Sequence, residues 1–64
     1  MMPKKPLRER EMELRALLAT AAGKKELELL VSRYHVASGK PRPAGTSSIT
    51  YILVHERERG LVCV

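Results

Sequence analysis

Sixty-four residues allow one domain at most, and twelve lysines and arginines against seven glutamates give it a formal charge of +5. Cys63 is the only cysteine, which excludes an internal disulfide, and Cys63, His35 and His55 lack the short spacing of a zinc site. No apolar run reaches the roughly 20 residues of a membrane helix, and the basic start leads into Arg8-Glu9-Arg10-Glu11 rather than the apolar stretch of a secretory signal.

Pro3 and Pro6 make residues 1–6 a flexible basic arm carrying Lys4 and Lys5, ahead of a single domain over 7–64. Residues 7–19 are strong helix formers. Leu14, Leu17, Leu18 and Ala21 share the i, i+3, i+4, i+7 spacing of one helical face, and Glu11 and Arg15 are oriented as a stabilising i, i+4 pair. Thr20 reads as the N-cap of a second helix over 21–38. Leu27, Leu30, Val31 and Tyr34 form its core stripe, widened by Leu29 and Val36. Gly39 ends it, since glycine takes the left-handed conformation of a helix stop at no steric cost. Residues 40–45, Lys-Pro-Arg-Pro-Ala-Gly, form a stiff loop with two cations, Lys40 and Arg42.

Two readings compete for the last third. Thr46, Ser47 and Ser48 supply N-cap candidates, Ile49, Ile52 and Leu53 fall on one helical face, and Gly60 before Leu61 has the form of a helix stop, which predicts a helix over 47–59. Strand-prone Ile49, Thr50, Tyr51, Ile52 and Val54 allow instead a hairpin of 48–54 with 61–64. The helix is preferred, because strict alternation fits this run poorly. The expected fold is therefore all-α, a small three-helix bundle of helix-turn-helix type. The alternative is α+β, two helices plus a C-terminal β-hairpin.

A chain this short buries only about 60% of the surface its unfolded form exposes, and its core supplies roughly 3–5 kcal/mol. Without a disulfide or metal, self-association is the remaining staple, and a homodimer is expected as an option. The charge also has a place. Lys4, Lys5 and Arg8 precede the first acid, and Lys40 and Arg42 lie in the loop, while the other seven basic residues match the seven glutamates. The excess thus sits in the arm and the loop, which suits an anionic partner.

Catalysis has little to work with. The chain contains no Asp, Asn, Gln, Phe or Trp, and Cys63 lies in an apolar tail with nothing to activate it. His35 and His55 read as surface or boundary residues. Glu26/Glu28 and Glu56/Glu58, at i, i+2, diverge on a helix and read as solvated charge. Gly39 and Gly45 flank a Pro-rich segment without a phosphate-loop pattern. The expectation is a non-enzyme with no catalytic residues, no cofactor, no small-molecule substrate and no contact with membranes, located in the cytoplasm.

Residues 46–62, TSSITYILVHERERGLV, resemble the recognition helix and following turn of winged helix-turn-helix regulators of the MarR-like group. That resemblance implies Ile49, Ile52 and Leu53 facing the core. It implies Ser47, Ser48, Thr50 and Tyr51 at a helix start that enters the major groove, and Leu61 and Val62 opening a wing strand. The leading reading is a nucleic-acid-binding protein in which Lys4, Lys5, Lys40 and Arg42 neutralise phosphates. Four such contacts give a log–log salt slope of about −3.6. The alternative is a protein-interaction module, a homodimer or adaptor, using an apolar surface of Tyr51, Val54, Leu61, Val62 and Val64.

Overall fold

The computed structural model describes residues 4–63. Its elements run β1 (Lys5–Pro6), α1 (Leu7–Leu17), α2 (Ala21–Ser38), α3 (Ser48–Glu58) and β2 (Val62–Cys63). The fold is all-α apart from one very short two-stranded sheet.

Pro6 sits just before α1 with φ −59° and ψ 140°, an extended setting its ring favours, and Glu9 lies in the first turn near the positive helix end. The helix stops at Leu17, two residues earlier than expected. Thr20 must be extended (φ −129°, ψ 155°) for its hydroxyl to accept the Gly23 N–H at 2.9 Å and cap α2. The residues between close in tight turns, with Leu18, Ala19 and Thr20 donating to the carbonyls three residues back. Gly23 makes this corner possible, because a Cβ there would lie 2.0 Å from the Leu17 carbonyl oxygen.

Helix α2 ends at Gly39, left-handed at φ 72°, whose N–H donates to the His35 carbonyl at 2.7 Å. Helix α3 starts at a Ser47 cap, the hydroxyl accepting the Thr50 N–H at 3.1 Å. It ends in a Schellman turn: Leu61 donates to the Glu56 carbonyl (2.9 Å) and Gly60, at φ 75°, to that of Arg57 (3.1 Å). Its buried residues, Tyr51, Ile52, His55 and Glu56, repeat at helical spacing. The C-terminal hairpin alternative is therefore wrong, because local caps at both ends and a helical burial stripe outweigh the strand propensity of the β-branched run.

The core is Leu14, Leu27, Tyr34, Tyr51 and Ile52, with Leu17, Leu30, Val31, Ile49 and Leu53 packed against it. Leu14 and Ile52 are wholly enclosed, each contributing roughly 1.5–3 kcal/mol by burial. Leu29 and Val36 do not widen the core stripe as expected; they are 65% and 82% exposed.

Strand β2 pairs in parallel with β1, Lys5 opposite Val62 and Pro6 opposite Cys63. Lys5 and Pro6 of the expected arm are thus held against the domain, and Val62 is buried beneath them. No helix is long and apolar enough to cross a membrane among the described residues.

Candidate nucleic-acid interface

Ser47, Thr50, Lys40 and Arg42 gather at the start of α3. The Ser47 hydroxyl accepts from the Thr50 amide and donates to the Thr50 hydroxyl at 2.9 Å. It serves the helix end, and the exposed Thr50 hydroxyl keeps its proton free to point outward. Ser48 is half-buried.

Tyr51 belongs to neither proposed surface. It is only 4% exposed, and its hydroxyl donates to the Lys40 carbonyl at 2.6 Å. The expectation that it meets a partner or a base is corrected: its ring fills the core at the position preceding Ile52, and its tip ties the loop to α3. The Arg42 guanidinium donates to the Thr46 carbonyl, closing the loop on itself. Lys40 and Arg42 are exposed and make no ion pair among the described residues.

Lys4 and Lys5 lie at the other end of α3, about 16 Å away at the helical rise of ~1.5 Å per residue. The Lys4 side chain passes beside Gly60. Lys5 is paired with Glu13. Both line a cleft of about 280 Å³ with Arg10, Glu56 and the turn at Gly60. Between the two basic ends, Thr50, Val54 and Arg57 form an outward stripe of α3, with Leu7 and Leu53 beneath it.

The sequence reading missed the buried ionic network. Glu56 is 3% exposed, not solvated charge. Arg10 grips it with Nε on Oε1 at 2.8 Å and Nη2 on Oε2 at 2.9 Å, and the Tyr34 hydroxyl donates to Oε2 at 2.8 Å. Arg10 also donates to Glu13 at 3.1 Å. Burial drives the Glu56 carboxyl upward, but the hydrogen bonds from Arg10 and Tyr34 outweigh it and hold it below its ordinary range. The same contacts raise Arg10 further, the Glu56 hydrogen bond foremost. Burial first, then the bond to Glu56, push the Tyr34 phenol up to about 12. Hydrogen bonds from Lys5 and Arg10 lower Glu13. One signal was available in the sequence: Glu56 stands four residues after Ile52, on the core stripe itself.

His55 is likewise buried rather than at the boundary. It stacks on Tyr34 (centroids 5.7 Å apart, planes 3° apart) and tilts against Tyr51 (4.3 Å, 53°), while the Arg59 guanidinium covers Tyr34 at 5.1 Å.

Of the apolar partner surface expected from the sequence, Val54 and Leu61 are about half exposed, and Tyr51 and Val62 are buried. Val62 is enclosed because its strand pairs with β1. Val64 lies outside the described residues. No family model, no curated protein and no solved structure matches the chain.

Proposed function

We propose that this protein binds duplex nucleic acid, without a catalytic role and in the cytoplasm, through the outer edge of α3 and the cations at its two ends. The Tyr51–Lys40 hydrogen bond carries the reading. A solvated loop with two lysine or arginine side chains would scatter its charge. Here the loop backbone is tied to α3 at Lys40, and Arg42 donates to the Thr46 carbonyl just before the helix, so both cations are carried at the start of α3 in a fixed register. Pre-placed cations position a phosphate backbone at little cost in loop ordering, while the groups between them meet base edges. Of the acids near this edge, Glu11 is paired with Arg15, and Glu13 and Glu56 with Arg10, while Glu58 is exposed beside Arg57 with no ion pair among the described residues.

Lys4, Lys40 and Arg42 are the cations of the set that make no ion pair among the described residues, and Lys5 shares Glu13. Three to four phosphate contacts give a log–log salt slope between about −2.7 and −3.6. Affinity for a mixed-sequence DNA duplex then falls roughly forty- to a hundred-and-fiftyfold between about 50 and 200 mM salt. Fluorescence anisotropy at several salt concentrations measures it. Absence of binding at the lowest salt, or a slope near zero, removes the reading.

A further inference from the structure

Helix α2 has an outward face that no other element covers among the described residues, and its side chains match themselves. On α2, Leu29 is 65% and Val36 82% exposed, one heptad apart. Leu29 stands between two surface depressions. One is bounded by Lys25, Glu28, Leu29 and Ser32, the other by Glu26, Leu29, Leu30 and Arg33. Each set is an i, i+3, i+4, i+7 diamond, the hole into which a facing helix inserts a side chain.

We infer that this face pairs with α2 of a second copy of the chain, antiparallel, about a two-fold axis passing between positions 29 and 30. The charges choose that partner. A two-fold axis at the middle of the second diamond places Leu29 over the same diamond of the second copy. Glu26 and Arg33 lie equally far on either side of the axis, so Glu26 of each copy meets Arg33 of the other, twice per dimer. Val36 falls opposite the exposed Ala22 of the second copy, a small residue that leaves room for it. The face is charge-balanced, Lys25 and Arg33 against Glu26 and Glu28, and so lacks the excess of cations that a polyanion requires. Glu26 and Arg33 are seven residues apart on one chain and make no ion pair among the described residues; a two-fold axis midway between them makes the pair self-complementary. A core of this size also leaves stability to be gained from a second subunit.

One helix pair covers less than the roughly 1,600 Å² of a standard interface, so the dimer exchanges with monomer on dilution. Sedimentation equilibrium of the full chain without nucleic acid, over the micromolar to millimolar range, is the test. The parent chain is expected to pass from monomer to dimer. Leu29→Glu is expected to stay monomeric with unchanged helicity, because Leu29 contributes little to the monomer core. Glu26→Arg alone and Arg33→Glu alone set like charges against each other and weaken association by about tenfold or more. The double variant Glu26→Arg/Arg33→Glu restores it. A parent chain monomeric throughout, a Leu29→Glu variant that still dimerises, or single variants that the double fails to rescue overturns the proposal.

Discussion

Arg10 holds both carboxylate oxygens of Glu56 in a two-pronged grip that joins the first helix to the last. Glu56 is enclosed and Arg10 is largely so, and the Tyr34 hydroxyl from α2 completes the set of donors. One carboxylate thereby takes a hydrogen bond from each of the other two helices. Breaking a buried pair from one side costs about 3–5 kcal/mol, comparable to the roughly 3–5 kcal/mol that a core of this size supplies. Arg10→Ala is therefore expected to be largely unfolded at room temperature. The triple change Arg10→Met/Glu56→Leu/Tyr34→Phe, which leaves no polar group orphaned, should fold better than Arg10→Ala. Urea titrations followed by circular dichroism decide this; an Arg10→Ala midpoint equal to the parent's shows that the grip adds nothing.

The same network sets limits on pH. Glu56 and Glu13 titrate below their ordinary range in the folded state. Their contribution is present above the unfolded carboxylate value of about 4.3 and is lost as pH falls below it. Tyr34 runs the other way. Its folded value is about 12, above the unfolded value of about 10, so its contribution disappears as pH rises from ~10 through ~12. Melting temperatures should form a plateau between these limbs. Tyr34→Phe should flatten the alkaline limb; an alkaline limb that survives this change unaltered assigns it to other groups.

Gly23→Ala places a methyl against backbone, not against a side chain that could swing away. The gain in helix propensity, about 1 kcal/mol, is outweighed by an overpacking cost of roughly 1–3 kcal/mol and more if the corner must open. Gly39→Ala makes the comparison, since a Cβ there meets nothing and the cost is only that of the left-handed backbone, about 1–2 kcal/mol. If thermal melts show Gly23→Ala more stable than the parent, α1 and α2 do not meet as closely as described.

Tyr51→Phe removes the tie to the Lys40 carbonyl and no charge. Stability should fall by about 1 kcal/mol. Duplex affinity should fall several-fold while the salt slope stays as in the parent, because the phosphate contacts become harder to order but no fewer. Lys40→Ala and Arg42→Ala should each make the slope shallower by about 0.9. A Tyr51→Phe variant that binds as tightly as the parent means that loop placement does not matter to binding.

Much of the fold was readable because its signals are local. Thr20, Gly39, Ser47 and Gly60 each act within four or five residues, and each does what its type predicts. Lys40, Arg42, Ser47 and Thr50 are near one another along the chain, so their placement around the start of α3 was visible too. Tyr51 was assigned outward through the resemblance to a recognition helix and, in the alternative, as part of an apolar partner surface, although it directly precedes Ile52 and belongs to the same inward stripe. Arg10 with Glu56, and Lys5 with Val62, join opposite ends of the chain. No periodicity or cap encodes such a pairing; it appears only once three helices are packed.

The short ladder between β1 and β2 has a consequence for the order of events. Helical turns close on neighbours, but the Lys5 amide can reach the Leu61 carbonyl, at 3.4 Å, only after all three helices have docked. It closes a loop that spans nearly the whole chain, at the entropic disadvantage that long loops carry. The ladder is then the last contact to form and the first to open. In deuterated buffer the Lys5 amide should exchange well ahead of amides in the middle of α2, at a rate insensitive to mild denaturant, as a seam that unzips while the bundle stays shut.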